Sequence, residues 1–418
     1  MSHTVLDSVA MAYQPVWNRH RLLAAVRLTV MPTDPGSVDA AHLMKVLGEH
    51  WPVNAPVLIL ALDSPALLSQ AIKCTSVPNT WLEVPAALFD HAESLAMLSV
   101  AHRRGHQLLR RADFAQVRRS FVAPLDARSL LALSAEEAAE ALQSRPTGDA
   151  SQPTRPSPIV PGQIYRHVFS RLLADHCLDD AGAWGILGWP DDDVLHGLRH
   201  ETPSCDAIVI TLIRQAIEKD ASIDRIERYV RQDPVLVYRL LSTVNSAAHG
   251  GRHEVDSLRH AIMMMGFSSL DRWLVDQAAG ADQDLAMHPV RYGQVMRARL
   301  AQHLLDSESD EELRGEVYTT AIFAQLDRLL NEPLEQLLER LPMSARVADA
   351  LIERTGPYFP LIDIASAQAD AEAIARLPEI CAEHEISLEH ANRALLRMLS
   401  TSRDHGLASE PKAPLRGV

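Results

Sequence analysis

Few residues in this chain have the types and spacing that chemistry needs. His102 and His106 stand four apart, and His249 and His253 bracket Gly250–Gly251; either pair could hold a metal. Gly105 ends the helix before His106, and with 19 histidines in the chain either spacing reads as chance. Six arginines crowd one stretch: Arg103, Arg104, Arg110, Arg111, Arg118 and Arg119, opposed only by Asp113. Guanidinium groups at that density could fork onto phosphate, or they could form a solvated edge. No P-loop, GxSxG, HExxH or CxxC motif occurs. The Met263–Met265 run reads as filler on a buried helix.

The elements that must position these groups fall into two halves. At 418 residues the chain is too long for one compact core, and 47% hydrophobic with 22% charged is ordinary for a globular protein. Residues 1–200 hold 17 Lys+Arg and 20 Asp+Glu, while 201–418 hold 23 and 34, so the net charge of −14 belongs mainly to the second half. That balance argues against nucleic acid as a partner. The longest apolar run, Ala55–Leu62, is far short of the roughly 20 residues a bilayer span needs. Cys74, Cys177, Cys205 and Cys381 are widely separated, and no export signal is visible at the start. A reduced, cytoplasmic setting without membrane insertion is expected.

In the first half, Val9–Trp17, Leu22–Val30, Val57–Leu62, Trp81–Val84, Gln107–Leu109 and Phe121–Leu125 read as strands, several apolar throughout and so buried on both faces. Asp39–Gly48, Pro65–Lys73, Phe89–Arg104 and Ala135–Gln143 read as helices, the last opened by a Ser134/Glu137 capping box. A hairpin followed by β-α-β-α predicts a parallel sheet or barrel. The Pro-rich segment 144–162 is a loop or linker, and because RHVFSRLLADHC after it again reads as strand, it is expected to be an insertion within the first domain. From Asp206 onward the pattern is helical, and among the helices expected are Asp206–Lys219, Ser222–Gln232, one capped by Asp233 with Pro234 at its first position, Asp256–Met265 and Glu311–Leu330. No repeat period emerges.

The second half resembles the HDOD family, which derives from HD-type metal phosphohydrolases. The resemblance rests on DPVLVYRLLSTVNSAAHGGRHEVDSLRHAIMMMGF, with Asp233–Pro234, Asn245–Ser246, Ser257 and Gly266 in order. These motif residues are read as structural: Asn245, Ser246 and Ser257 satisfy backbone groups, and Gly266 suits a left-handed helix stop. The similarity continues through VYTTAIFAQLDRLL and resembles the subgroup in which HDOD follows a diverged EAL domain. Laid on AIFAQLDRLL, the His-Asp metal dyad of HD enzymes falls on Ala324 and Gln325, which implies no metal there.

EAL phosphodiesterases resemble a TIM barrel and cleave cyclic di-GMP with two metals held by acidic residues and an Asn. On that pattern Tyr13–Val16 looks like the opening strand, and the signature Glu falls at Arg27 in AAVRLTV. The Asn falls within Leu60–Ala61–Leu62, the Asp pair is Ala112–Asp113, and the catalytic Lys falls on Pro124. Asp175 resembles the late-strand Glu, and Leu187 replaces the Gln of a QG-aromatic motif. Only Glu83, Asp113 and Asp175 remain as vestigial acidic positions.

The resemblance therefore implies an α/β plus all-α chain: a degenerate TIM-like EAL barrel over 1–200 with an insertion at 144–162, an irregular α-helical HDOD bundle over 201–405, and a tail at 406–418. It implies no catalytic residues and no cofactor, and other signalling or regulatory proteins as partners. An alternative is a cyclic di-GMP receptor that contacts phosphate through Arg27, Arg110 and Arg111. A third is residual phosphodiesterase activity through the three acids.

Overall fold

The computed structural model describes residues 4–34, 38–117, 125, 127–145, 156–201, 204–246, 255, 257–305 and 309–402. Eight strands close into a barrel in sequence order: β1 (Val9–Trp17), β2 (Leu23–Pro32), β3 (Val57–Leu62), β4 (Thr80–Pro85), β5 (Gln107–Asp113), β6 (Arg128–Ala132), β7 (Ile164–Arg166) and β8 (Gly185–Leu187). β2 to β8 are parallel, whereas β1 runs antiparallel to both β2 and β8.

That reversed first strand follows from the hairpin. Asn18 Oδ1 accepts from the amides of His20 (2.8 Å) and Leu22 (3.2 Å), and Arg21 takes φ 57° to turn the chain. Closure at the other edge requires Gly185: a Cβ there would meet Val16 Cγ1 at 2.8 Å and the Trp17 carbonyl oxygen at 3.0 Å. Val16, Ala25, Ile59, Leu109, Leu130, Ile164 and Leu187 pack inside as a dry plug.

A hairpin supplies no crossover helix, so the outer face of β1 needs another cover. The helical half provides it. Asn392 on the Leu388–Ser400 helix donates to the carbonyls of Leu6 and Val9, both at 2.8 Å. Gln368 on the Phe359–Gln368 helix donates to Met11 (3.4 Å), and Trp17 meets His288 and Tyr292 of the Met287–His303 helix edge-on. One apolar core runs from β1 into the bundle.

Several expectations need correction. Within RHVFSRLLADHC the strand ends at Arg166; Ser170 Oγ accepts from Leu173 N and starts the Arg171–Asp175 helix, so Asp175 lies on a helix. Of the expected Phe121–Leu125 strand, residues 121–124 lie outside the described residues, and the sixth strand is Arg128–Ala132. The expected Phe89–Arg104 helix is interrupted at His91, whose extended backbone separates Ala87–Asp90 from Ala92–Arg103. Glu311–Leu330 breaks at Gln325 (φ −132°, ψ 25°) into Glu311–Phe323 and Leu326–Leu330. Met263 and Met264 are 57% and 55% exposed, and only Met265 is buried, because the Leu258–Met265 helix turns Leu258, Ala261, Ile262 and Met265 inward.

Candidate functional site

Strand alternation sets the lumen at the C-terminal ends of the parallel strands, where barrels of this kind place their chemistry. Because Ala25 faces inward, so do Arg27 and Thr29 two and four residues on. The same parity carries Glu83 on β4, Arg111 and Asp113 on β5, Arg166 on β7 and Gln14 on β1 to the lumen.

Arg27 and Glu83 meet there. Arg27 Nε donates to Glu83 Oε2 at 2.7 Å and Nη2 to Oε1 at 3.0 Å, a fork on a carboxylate whose side chain is 3% exposed. Nη1 donates to Gln14 Oε1 (3.2 Å) and Thr29 Oγ1 (3.0 Å), so every nitrogen of Arg27 has a partner. Arg111 Nε adds a second cation 3.4 Å from Glu83 Oε1. A cleft beside this group is bounded by Asp63, Pro85 and Ala61. Arg166 sits close by, its Nε buried without a hydrogen-bond partner. Burial, and then the charges of Arg27 and Arg111, hold its pKa below the ordinary arginine value against the pull of Glu83 and Asp113.

The other sequence candidates disperse. Arg110 has the opposite parity to Arg111 and points outward, where Nε donates to Ser129 Oγ at 3.1 Å; burial lowers its pKa. Asp113 reaches the mouth but is exposed. Asp175 is taken by Arg21 Nη2 at 2.6 Å, beside the hairpin turn that precedes β2, and so sits away from the mouth. His106 is buried with Nε2 2.9 Å from the Cys74 carbonyl, while His102 is exposed. His249, His253, Arg118, Arg119 and Pro124 lie outside the described residues.

The opposite mouth is closed by stacking. The Arg128 guanidinium lies 5.0 Å from the Trp81 ring and 4.7 Å from the Trp184 ring, and burial lowers its pKa.

A two-metal centre does not fit the residues present. Both oxygens of Glu83 already accept from arginine, and a cation there would face Arg27, Arg111 and Arg166. Among the described residues no three His, Cys, Asp or Glu gather as a metal site.

In the helical half the motif residues are joints. Asp233, fully buried, caps the Pro234–Asn245 helix at Val235 N (3.0 Å) and also accepts from Asp206 N (2.7 Å). Asn245 clamps Val255: Nδ2 donates to Leu241 O (2.9 Å) and Val255 O (2.8 Å), and Oδ1 accepts from Val255 N (2.9 Å). Ser246 Oγ donates to Thr243 O at 2.8 Å, and Ser257 Oγ caps His260 N at 3.2 Å. Gly266 has φ 70° but ψ 152°, so it links two helices through an extended glycine conformation and not through a left-handed helical one. Under these joints Arg291 is 3% exposed and faces three carboxylates: Asp282 at 3.0 Å, Asp206 at 3.7 Å and Asp233 at 3.9 Å. Burial pushes the Asp233 carboxyl up despite Arg291; His288 and Arg291 bring Asp206 down in spite of its burial.

Ala324 and Gln325, onto which the sequence resemblance lays the metal dyad, border a small cavity with Gln294 and Arg297, and Gln325 Oε1 accepts from Arg297 Nη1 at 3.1 Å. An amide bonded to a guanidinium has no place for a metal.

Gln14, Arg166, Asp282 and Arg291 were not singled out from sequence. Gln14 was legible once the hairpin was drawn, since it pairs directly with Arg27. Arg291 sits in a helix with buried residues on all sides and leaves no periodic trace.

Residues 202–336 match the HDOD domain family. Over 200 residues the chain is 28% identical to the cyclic di-GMP phosphodiesterase CdgJ of Vibrio cholerae, covering 47% of this chain and 45% of that protein. Over 156 residues it is 23% identical to YuxH of Bacillus subtilis, covering 37% of this chain and 38% of the other. The chain thus spans less than half the length of the curated relatives it matches. The MmoQ response regulator of Methylococcus capsulatus overlays at TM-score 0.37 and 16% identity, over 47% of this chain and 98% of that one, too loosely to argue from. Among the described residues no helix is long and apolar enough to cross a membrane.

Proposed function

We propose that this chain, which belongs to the EAL–HDOD family, is a non-catalytic signal-transduction scaffold in cyclic di-GMP-related regulation that works by contact with other regulatory proteins. The observation that carries this reading is the Arg27–Glu83 fork at the barrel mouth. Hydrolysis of a phosphodiester with two metals needs carboxylates free to neutralise the metals and position water. Here the buried carboxylate at the barrel mouth neutralises a guanidinium instead. A scaffold needs the barrel only as a rigid body, and the continuous core between β1 and the bundle makes the two halves one such body.

The test is turnover of cyclic di-GMP by the purified chain with Mg2+ or Mn2+. No product is expected. Hydrolysis that is abolished by Glu83→Gln would establish the enzyme reading in its place.

A second reading, a cyclic di-GMP receptor, has one specific observation behind it: Arg166 Nε is buried and unpartnered beside Arg27 and Arg111. Arg110 faces outward and drops out of that site. Calorimetry separates the two. Saturable heat lost in Arg166→Ala supports the receptor, and an absence of heat supports the scaffold.

A further inference from the structure

The helical half is the acidic one, yet a groove on it concentrates guanidinium groups. The groove encloses about 1140 Å3 between the Ile223–Val230, Leu258–Met265, Met287–His303 and Glu311–Phe323 helices. Arg228, Arg231, Arg259, Arg299 and Arg314 line it, with Asp224, Glu227, Glu311 and Glu312. Some of that charge is spent internally: Arg259 pairs with Asp224 and Arg231 with Glu227.

Two polar atoms are left over on residues that line the groove. Arg299 is 6% exposed, and its Nη2 donates to Thr401 Oγ1 at 2.7 Å. The Arg299 guanidinium also bonds the Tyr292 hydroxyl, which itself donates to the Ser402 carbonyl at 2.6 Å. Gln232 is 7% exposed with Oε1 unpartnered, and Arg231 Nε is likewise unmatched. Each such group costs about 1–3 kcal/mol when left unsatisfied, so two on one cavity wall ask for an occupant.

The wall also has a stacking element. The Arg231 guanidinium lies over the Tyr318 ring, 4.9 Å from its centroid, and Tyr318 holds the Arg231 carbonyl through its hydroxyl. An arginine plane fixed on one face offers the other to a base, while forked guanidiniums match phosphate oxygens.

We propose that this groove binds a phosphate-bearing small molecule of nucleotide size, with the base on Arg231, the phosphate toward Arg228 and Arg299, and Gln232 Oε1 accepting from the base. It lies on a different face of the Met287–His303 helix from the cavity at Ala324 and Gln325, so it is not the old metal position.

The experiment is isothermal calorimetry of the full chain at low salt with GDP, ADP and inorganic pyrophosphate as probes. Saturable binding is expected for at least one nucleotide, weaker as salt rises. Arg228→Glu, an exposed rim change that leaves the fold unaltered, and Arg231→Ala should each weaken it about tenfold or more. Circular dichroism checks that both variants remain folded. The proposal is overturned if no probe gives heat at about millimolar concentration. It is equally overturned if both variants bind like the parent, or if binding is lost only in Arg111→Ala or Arg166→Ala, which would put the ligand at the barrel mouth.

Discussion

Replacing Arg27 with Met tests whether Glu83 is a counter-ion or a free ligand. The pair is buried, with side chains 11% and 3% exposed, and forked at 2.7 and 3.0 Å. At an effective dielectric of about 20, charges near 4 Å apart attract by about 4 kcal/mol, and removing one partner of a buried pair typically costs about 3–5 kcal/mol. Arg111 remains 3.4 Å from Glu83 but is 40% exposed, so it recovers only part of the loss. Arg27→Met is therefore expected to destabilise by about 3 kcal/mol. Glu83→Met strands Arg27 beside Arg111 and Arg166 and should cost at least as much, about 3–4 kcal/mol. The double variant Arg27→Met/Glu83→Met leaves no unpaired charge between them and should sit within about 1 kcal/mol of the parent. Urea unfolding at neutral pH, followed by far-UV circular dichroism, measures all four corners of the cycle. Strictly additive losses would refute the counter-ion argument. So would a Glu83→Met variant more stable than the parent, since that is how a repelled, metal-ready carboxylate behaves.

Three further expectations concern the joints between elements. Arg291→Leu leaves Asp206, Asp233 and Asp282 uncompensated and should cost about 3–5 kcal/mol at pH 7; because those carboxylates accept protons, the deficit should shrink below about pH 4, which unfolding at both pH values will show. Asn392→Ala removes two 2.8 Å bonds to the Leu6 and Val9 carbonyls and should lower stability by about 1–3 kcal/mol. Hydrogen exchange of the β1 amides should rise with it, and unchanged exchange would show that the bundle does not hold β1. Asp191 is pushed up to about 6 from 3.8, chiefly by burial. A raised carboxyl binds its proton more tightly in the native state, so its contribution to stability falls as pH rises from 3.8 to about 6 and stays low above that. Asp191→Asn should therefore gain on the parent above pH 6 and match it below pH 4; a gain independent of pH would contradict the shift.

Much of the barrel was open to inspection beforehand because its strands obey local rules. Val57–Leu62 is apolar at every position since both its faces are covered, and the Ser134–Glu137 capping box formed as expected. The late strands were harder. β7 and β8 have three residues each, too few for a period, and Ser170 turned an apolar run into a helix by capping one amide. In the same way Gln325 broke a helix whose composition was helical throughout. At the mouth, residue type alone suggested that Arg27 replaces an acid. Which arginines share its neighbourhood depended on parity, a property of one residue's step: Arg111 faces in and Arg110 faces out.

Residue types by themselves determined that this chain has a barrel-like half and a helical half, and that the acidic excess lies in the helices; the family resemblance alone put Arg27, Ala324 and Gln325 at metal-holding positions. Those are local facts, carried by side-chain chemistry and short-range period. Only the tertiary structure decided that Glu83 spends both oxygens on Arg27 and Arg111, that Asp175 serves a hairpin turn through Arg21, and that Arg291 gathers three carboxylates. It also decided that the bundle, and not a crossover helix, covers β1. The reason is physical: the strength of a charge depends on what surrounds it and how far water is kept away, and those neighbours come from residues as much as 158 positions apart along the chain, as in Arg21 and Asp179.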